Sequence, residues 1–264
     1  MRFVRVLTLF AVAVIVSASA YFAMPYVRAA SLFVRVGNVG GPVERLADAI
    51  ARDVTVLPRQ RVPVRQGEVE TQLYRPQGTV RRSVLLVPGV HSMGIAEPRL
   101  TALAHDLAGS GVAVMTMALP DLMAYQITAR SADVIEDAVA WMAAQPELAP
   151  DGRVGMIGIS FAGGLSIVAA GRPSIRDKVA YVVSFGGHGD LPRVLRYLCT
   201  GVLPDGTRQP SHDYGTVLFL LNALPHLVPA EQVAALDRAI RLFLDASMVD
   251  VSDPPRAAAL FPEA

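Results

Sequence analysis

The sequence contains very little lysine and cysteine, and both shortages exclude kinds of site. Lys178 is the only lysine among 24 basic residues, whereas a P-loop needs a lysine directly after its glycine-rich turn. The single cysteine, Cys199, can form neither an internal disulfide nor a cysteine metal cluster. A lone cysteine is more often a buried packing residue than a nucleophile. We therefore expect no nucleotide-binding P-loop and no disulfide framework.

Histidine is also scarce, and its positions are scattered. The closest pairs among the five histidines are 14 residues apart, so no two can bind one metal ion from adjacent turns of a helix. The dinucleotide-binding pattern G-x-G-x-x-G does not occur. We therefore expect neither a metal nor a cofactor.

Charge is sparse for a soluble domain. Charged residues make up 18% of the 264 residues, apolar residues make up 52%, and the net charge is +1. Soluble domains usually contain about 25% charged residues, and a nearly neutral chain does not suggest a nucleic-acid partner. The length suits one sizeable domain with a buried core.

The N-terminal segment is uncharged from residue 6 to residue 27, after Arg2 and Arg5, and is broken only by Pro25. About 20 such residues cross the hydrocarbon layer of a membrane. The small residues at 17–20 also suit a signal-peptidase site. We expect membrane association through residues 6–27, either as a single-pass anchor with the domain outside the cytoplasm or as a signal that is cleaved from an exported form.

Three regions follow from these patterns. Residues 1–28 are the hydrophobic anchor or signal segment, residues 29–59 connect it to the domain, and residues 60–264 form the domain itself. Within the domain, residues 61–65 and 68–74 predict a hairpin. Buried strands are predicted at Ser83–Val87, 112–118, 154–157 and Val179–Phe185.

Helices are predicted between these buried strands, one beginning at Pro98 and one capped by Ser131. This alternation predicts an α/β fold with a mostly parallel sheet and helices on both faces. After Phe185 the alternation fades. Residues 215–228 suit either a helix or a short strand with a turn, and a helix follows Pro229. We interpret residues 205–249 as a helical lid.

Gly158-Ile159-Ser160-Phe161-Ala162 lies where a predicted strand turns abruptly into a helix. A serine at such a turn is held in a strained backbone conformation that exposes its hydroxyl, and the residues two before and two after it must be small. Gly158 meets this demand fully, whereas Ala162 departs from the usual second glycine but adds only a methyl group. The alternative is a turn whose glycines only allow close packing or bind phosphate.

This serine turn, together with Val87-Pro88-Gly89-Val90 after an earlier strand, resembles the α/β-hydrolase superfamily, in particular its dienelactone-hydrolase-like esterases. The resemblance covers residues 60–189 and implies that Ser160 is the nucleophile. It also implies that the N–H groups of Phe161 and Val90, with His91 as the alternative to Val90, stabilise the oxyanion. Such donors are each worth about 3 kcal/mol.

The sequence departs from this family after the serine turn, because no histidine follows a recognisable final strand where the family takes its base. His188 and Asp190 follow Val179–Phe185, at the end of a strand where sites are found in such sheets. They are the candidate base and acid, although they follow a different strand from the family's pair. His212 is a further candidate base. No complete triad can be assigned.

Two functional hypotheses remain open from the sequence. The first is a membrane-associated serine hydrolase that acts on a small-molecule ester or related acyl substrate through Ser160. The second is a non-catalytic or truncated hydrolase-like protein that lacks a complete triad.

Overall fold

The computed structural model describes residues 2–211 and 213–247, and these residues form one seven-stranded mixed sheet with helices on both faces. The strands are β1 (Val54–Val56), β2 (Gln60–Val64), β3 (Gly67–Pro76), β4 (Ser83–Val87), β5 (Ala113–Met117), β6 (Val154–Ile159) and β7 (Val179–Phe185). The helices are α1 (Arg2–Val36), α2 (Gly41–Ile50), α3 (Pro98–Gly109), α4 (Pro120–Met123), α5 (Arg130–Ala143), α6 (Phe161–Ala170), α7 (Leu191–Thr200), α8 (Asp213–Leu227) and α9 (Ala230–Ser247).

The strand order is β1-β3-β5-β4-β6-β7, with β2 also paired to β3. Strands β5, β4, β6 and β7 are parallel, whereas β3 is antiparallel to β5, β1 and β2. This arrangement confirms the predicted α/β fold with its mostly parallel sheet. The carboxyl ends of the four parallel strands lie at one edge of the sheet, which we call the carboxyl edge, and their starts lie at the opposite, amino edge.

The two faces of the sheet are covered by different helices because alternate strand residues point in opposite directions. Leu86 of β4 belongs to a buried cluster with Leu100 and Ala104 of α3. Its neighbour Leu85 belongs to the larger cluster that contains Ile135 of α5 and residues of α6. Thus α3 covers one face, and α5 and α6 cover the other.

Strand β7 lies at the end of the sheet, and within the described residues no strand pairs with its outer edge. Tyr181, Val183 and Phe185 point to the same face as α3 and are 43%, 45% and 71% exposed. The register places Phe185 beside Ile159 of β6. Among the described residues, therefore, none covers β7 on the face of the sheet that carries α3.

Helix α1 continues to Val36, past the predicted boundary at residue 28, and includes Pro25. It packs on α2, where the Ser31 hydroxyl donates to the Ala47 carbonyl at 2.8 Å. Among the residues that the structure describes, none of the helices has the length and apolar character needed to span a bilayer.

The described region after β7 contains three helices, α7, α8 and α9, and one isolated β-bridge between Val202 and Arg208. Residues 215–228, for which the sequence allowed either a helix or a strand, lie in helix α8 except for residue 228. Helix α9 follows Pro229 as predicted. Helix α7 was not predicted. The prediction that Ser131 caps a helix is wrong, because α5 begins at Arg130 and buries Ser131 in its first turn.

Candidate active site

Ser160 occupies the sharp turn between β6 and α6 with a strained backbone. Its φ is 53° and its ψ is −132°, a combination that a residue with a side chain adopts only when its surroundings enforce it. The Ser160 N–H donates to the Phe185 carbonyl at 2.7 Å, and the Ser160 carbonyl accepts from the Gly163 N–H at 2.9 Å. These bonds fix the turn and leave the Ser160 side chain exposed.

Small residues around the turn are required by close contacts between β6 and α6. A Cβ on Gly158 would lie 2.5 Å from the Ser166 hydroxyl oxygen and 2.7 Å from the Ala162 carbonyl oxygen. The Ala162 methyl group is fully buried in the main core cluster. The structure thus gives the predicted small positions at Gly158 and Ala162 a steric reason.

The loop after β4 lies directly against Ser160. A Cβ on Gly89 would be 3.2 Å from the Ser160 Cβ, so the residue that follows, Val90, is next to the serine turn. Val90 is 7% exposed, and its carbonyl accepts from the Tyr214 hydroxyl on α8 at 3.1 Å. One predicted oxyanion donor is therefore carried by a loop that the helices after β7 hold in place.

Helix α9 contacts the same loop through a carboxylate that sequence reasoning missed. Asp245 Oδ1 accepts from the Ser92 hydroxyl at 2.9 Å and from the Tyr125 hydroxyl at 2.5 Å. Burial and the Asp245 carboxylate raise the pKa of Tyr125 to about 12. Tyr125 also has a left-handed φ of 58°. No local pattern marks Asp245, because its partners lie far away in the sequence.

The other predicted oxyanion donor, Phe161, is the first residue of α6. The first N–H groups of a helix have no partner within that helix, and the positive end of the helix dipole favours negative charge beside them. The Phe161 ring lies 4.6 Å from the His188 ring and 6.3 Å from the Phe219 ring, measured between centroids. Phe161 therefore joins the serine turn to the segment after β7 and to α8.

His188, the candidate base, lies beside α6 and is not joined to Asp190. A Cβ on Gly164 would lie 2.6 Å from the His188 Cε1 atom. The His188 Nε2 atom is buried without a hydrogen-bond partner among the described residues, and burial lowers the pKa of His188. The Asp190 carboxylate instead caps α7 by accepting from the Arg193 N–H at 3.1 Å.

Within the described residues, no side chain is hydrogen-bonded to the Ser160 hydroxyl. His91 also lies near the site, with its Nδ1 atom accepting from the Met93 N–H at 3.1 Å. Burial lowers the pKa of His91, and the Glu97 and Asp245 carboxylates oppose that shift. His212 lies outside the described residues. Two histidines, His188 and His91, are thus placed around the serine turn.

The remaining candidate groups lie away from Ser160. His105 is exposed on α3, and Cys199 is exposed rather than buried. A cavity of about 550 Å³ lies next to the site, and Ser160 does not line it. Its lining residues are Arg61, Glu68, Val69, Glu70, Ser92, Ala118, Pro120, Met123 and Ala124. The described residues contain no group of three or more metal-binding side chains.

Comparisons with known proteins match the part of the chain that contains the serine turn. The family model of X-Pro dipeptidyl-peptidase (S15 family) matches residues 69–189. Acyl-coenzyme A thioesterase 3 of Mus musculus is 32% identical over 161 residues, which are 58% of this chain and 35% of that protein. The chain thus spans about a third of the length of this relative.

Two solved structures are also similar. Dienelactone hydrolase from Anabaena variabilis is 21% identical with a TM-score of 0.44, over 73% of this chain and 96% of that chain. A hyperthermophilic esterase from Pyrobaculum calidifontis is 18% identical with a TM-score of 0.42, over 83% of this chain and 64% of that chain.

The assignment rests on the matched family model, on the thioesterase relative and on the sheet itself. Strand β6, the strained turn at Ser160 and α6 all lie within residues 69–189. A strained serine between a parallel strand and a helix is the arrangement that defines a nucleophile elbow. Residues 69–189 of this chain are therefore similar to the α/β-hydrolase superfamily and have its strand–turn–helix arrangement around Ser160.

Proposed function

We propose that the chain is a serine hydrolase that cleaves an ester or related acyl substrate through Ser160, and that its N-terminal segment attaches it to a membrane. The observation that carries the catalytic part is the backbone of Ser160, with its φ of 53° and ψ of −132°. Such strain persists where a site needs it. It costs stability without improving the packing of Ser160, which is exposed.

In the proposed reaction, the Ser160 Oγ attacks the acyl carbon and its proton passes to a base. The N–H groups of Phe161 and Val90 stabilise the oxyanion that forms, and the alcohol or thiol leaves with the proton. Water then cleaves the acyl-serine ester. The donors are useful because they are already oriented by α6 and by the loop after β4 before the charge develops.

Two histidines compete for the role of base. His188 is favoured by its contact with Phe161 and by its unpartnered Nε2 atom. The lowered pKa of His188, caused by burial, keeps its ring neutral at pH 7, as a general base requires. His91 is the second candidate, but its Nδ1 lone pair already accepts from Met93. We assign no role in proton transfer to Asp190, because its carboxylate caps α7.

The test is labelling of the full chain with a fluorophosphonate probe, which reacts only with an activated serine. We expect labelling of the wild type and none of Ser160→Ala. His188→Asn should abolish labelling, whereas the exposed His105→Asn should leave it unchanged. If labelling is lost in His91→Asn and retained in His188→Asn, the base is His91 instead. A panel of esters, acyl thioesters and X-Pro peptides would then identify the substrate class.

The alternative is a hydrolase-like protein without catalytic activity. It is favoured by one observation, the absence of a hydrogen bond to the Ser160 hydroxyl within the described residues. A folded wild type that the probe does not label would contradict the catalytic proposal and support this alternative.

The membrane part of the proposal is supported by the exposed apolar side chains of α1. Phe22, Tyr26 and Phe33 are 71%, 79% and 77% exposed, and contiguous apolar surface of this kind marks a membrane or protein contact. We further propose that the domain lies outside the cytoplasm. Cys199 is the only cysteine and is exposed, so a membrane-impermeant maleimide should label it in intact cells. The Cys199→Ser variant is the control, and labelling only after lysis would contradict this orientation.

A further inference from the structure

Three arginines from separate segments meet beside α1. Arg28 lies on α1, Arg52 follows α2, and Arg81 precedes β4. The pKa of Arg52 is lowered by burial and by the positive charges of Arg28 and Arg81. We call these three residues the arginine cluster. Its like charges repel one another, so the cluster costs stability unless an anion lies between them.

Contacts with the backbone hold Arg52 in this position. Its N–H donates to the Gly109 carbonyl at 2.8 Å. Its Nη1 atom lies 3.4 Å from the carbonyl oxygens of Gln77 and Thr79, at the limit of a hydrogen bond. A Cβ on Gly111 would lie 3.5 Å from the Arg52 guanidinium carbon. The guanidinium is thus fixed by the loops at the amino edge, and much of its donor capacity remains unused.

Arg28 and Arg81 are also incompletely paired. The Arg28 Nε atom is buried without a hydrogen-bond partner among the described residues. Among the residues that the structure describes, Arg81 Nη1 donates only to the Tyr21 hydroxyl, at 3.4 Å. Tyr21 and Arg28 are seven residues apart on α1 and therefore lie on one face of that helix. Tyr21 on this face contacts Arg81, and Arg28 lies two turns further along the same face.

The nearby carboxylates do not neutralise the cluster. Asp106 pairs with Arg35 at 2.8 Å. Asp48 and Asp53 line a cavity of about 370 Å³ together with Arg35, Arg52 and His105. Within the described part of the chain, however, no carboxylate forms an ion pair with a residue of the arginine cluster. The cluster therefore retains its positive charge.

The surroundings of the cluster indicate which anion it suits. Phe22 and Tyr26 are exposed on a separate face of α1, about 120° and 160° around the helix from Arg28. A positive cluster beside exposed apolar side chains matches a bilayer, in which phosphate groups lie directly above hydrocarbon. A soluble phosphate would satisfy the arginines but would leave the apolar side chains in water.

We propose that Arg28, Arg52 and Arg81 bind the phosphate groups of anionic lipids in a bilayer that the apolar side chains of α1 enter. This inference rests on the membrane association proposed above and adds lipid selectivity to it. Each basic residue at an anionic surface strengthens binding about fivefold, so three contribute about 100-fold.

Vesicle flotation of the full chain tests the proposal. Neutral phosphatidylcholine vesicles measure association through α1 alone, and vesicles with added phosphatidylglycerol measure the contribution of charge. We expect the wild type to prefer anionic vesicles about 100-fold. Arg28→Gln/Arg52→Gln/Arg81→Gln should lose this preference while binding neutral vesicles as before. The charge-matched control is Arg193→Gln/Arg196→Gln/Arg238→Gln, which changes exposed residues of α7 and α9 and should keep it.

A single variant covers the case in which the triple variant does not fold. Arg81→Gln changes an exposed residue outside any helix or strand and should reduce the preference about fivefold. Equal binding of the wild type to both vesicle types would overturn the arginine site and leave membrane association intact. Binding to neither would contradict membrane association itself.

Two other occupants have distinct outcomes. If excess inorganic phosphate at constant ionic strength removes the preference, the cluster is a site for a soluble phosphate and the lipid assignment is wrong. If the wild type floats with neither vesicle and self-associates in sedimentation experiments, a second copy covers α1 and the proposal fails.

Discussion

Gly89 packs directly against Ser160. A Cβ atom added to Gly89 would lie only 3.2 Å from the Ser160 Cβ and 3.3 Å from the Ile159 carbonyl oxygen. Most Cβ contacts in proteins are longer than this. The close approach brings the loop after β4 to the turn after β6, because the two strands are neighbours in the sheet. The proposed oxyanion hole takes its donors from both segments, so we expect its width to depend on Gly89 having no side chain.

We predict that Gly89→Ala slows fluorophosphonate labelling of Ser160 by about tenfold, since a displacement of a few tenths of an ångström misplaces the donors. Labelling rates of purified protein measure the effect. Gly171→Ala is the control, because its Cβ would make only ordinary contacts of 3.7 Å at the end of α6. An unchanged rate in Gly89→Ala would show that the loop after β4 takes no part in the reaction.

We predict that Gly158→Ala lowers the free energy of unfolding by about 1–3 kcal/mol, because its methyl group would overlap the Ala162 carbonyl oxygen and overpacking strains the backbone. Urea denaturation measures the change. Gly189→Ala, where a Cβ would meet nothing within 4 Å, should have little effect. Equal stability of the two variants would contradict the close packing of β6 on α6.

We predict that Asp245→Asn lowers the free energy of unfolding by about 1–2 kcal/mol, because its amide accepts more weakly from Ser92 and Tyr125 than the carboxylate does. The same variant should slow labelling of Ser160, since α9 then holds the loop after β4 less firmly. Glu231→Gln, an exposed residue at the start of α9, is the control. Labelling at the wild-type rate in Asp245→Asn would confine Asp245 to a structural role.

The pH dependence of stability should include a contribution from Glu136, whose side chain is 9% exposed. Burial alone would raise its pKa, but hydrogen bonds from Ser174, Arg172 and Arg65 outweigh burial and lower it from 4.5 to about 2. A carboxyl group whose pKa is lowered by folding stabilises the fold at pH values above its ordinary pKa. This stabilisation is lost as the pH falls from 4.5 toward 2.

We therefore predict that Glu136→Gln lowers the free energy of unfolding by about 2 kcal/mol at pH 7, a figure discounted for the solvent around Arg65. The difference from the wild type should shrink as the pH is lowered to 3. Urea denaturation at several pH values measures both. Asp177→Asn, at a carboxylate that is 90% exposed, should show no such dependence. If the difference in the free energy of unfolding between Glu136→Gln and the wild type does not change with pH, the ionised carboxylate is not its source.

The parallel part of the sheet was predictable because its signals are local. The uncharged, apolar runs at Ser83–Val87 and Val179–Phe185 have the predicted bounds as β4 and β7, and α3 begins at the predicted Pro98. Glycine and proline end these runs, so neither bound depends on distant contacts. The strained turn at Ser160 was predictable for the same reason.

Helix α7 was missed although its signals were also local. Asp190 precedes Leu191-Pro192, and an N-cap followed by proline in the first turn is a typical helix start. We instead interpreted Asp190 as a candidate catalytic acid, and the structure places its carboxylate on the Arg193 N–H. The contacts of Tyr214 and Asp245 could not be predicted, because each joins residues more than 100 positions apart.

The arginine cluster beside the N-terminal helix and Ser160 lie at opposite edges of the sheet. Arg52 and Arg81 lie at the amino edge, where β4 and β5 begin, whereas Ser160 lies at the carboxyl edge, where β6 ends. A strand of five residues separates these edges by about 17 Å. If α1 tethers the chain to a membrane as proposed above, we expect Ser160 to open away from the lipid headgroups. We then expect a substrate that diffuses in the surrounding water rather than one extracted from the bilayer.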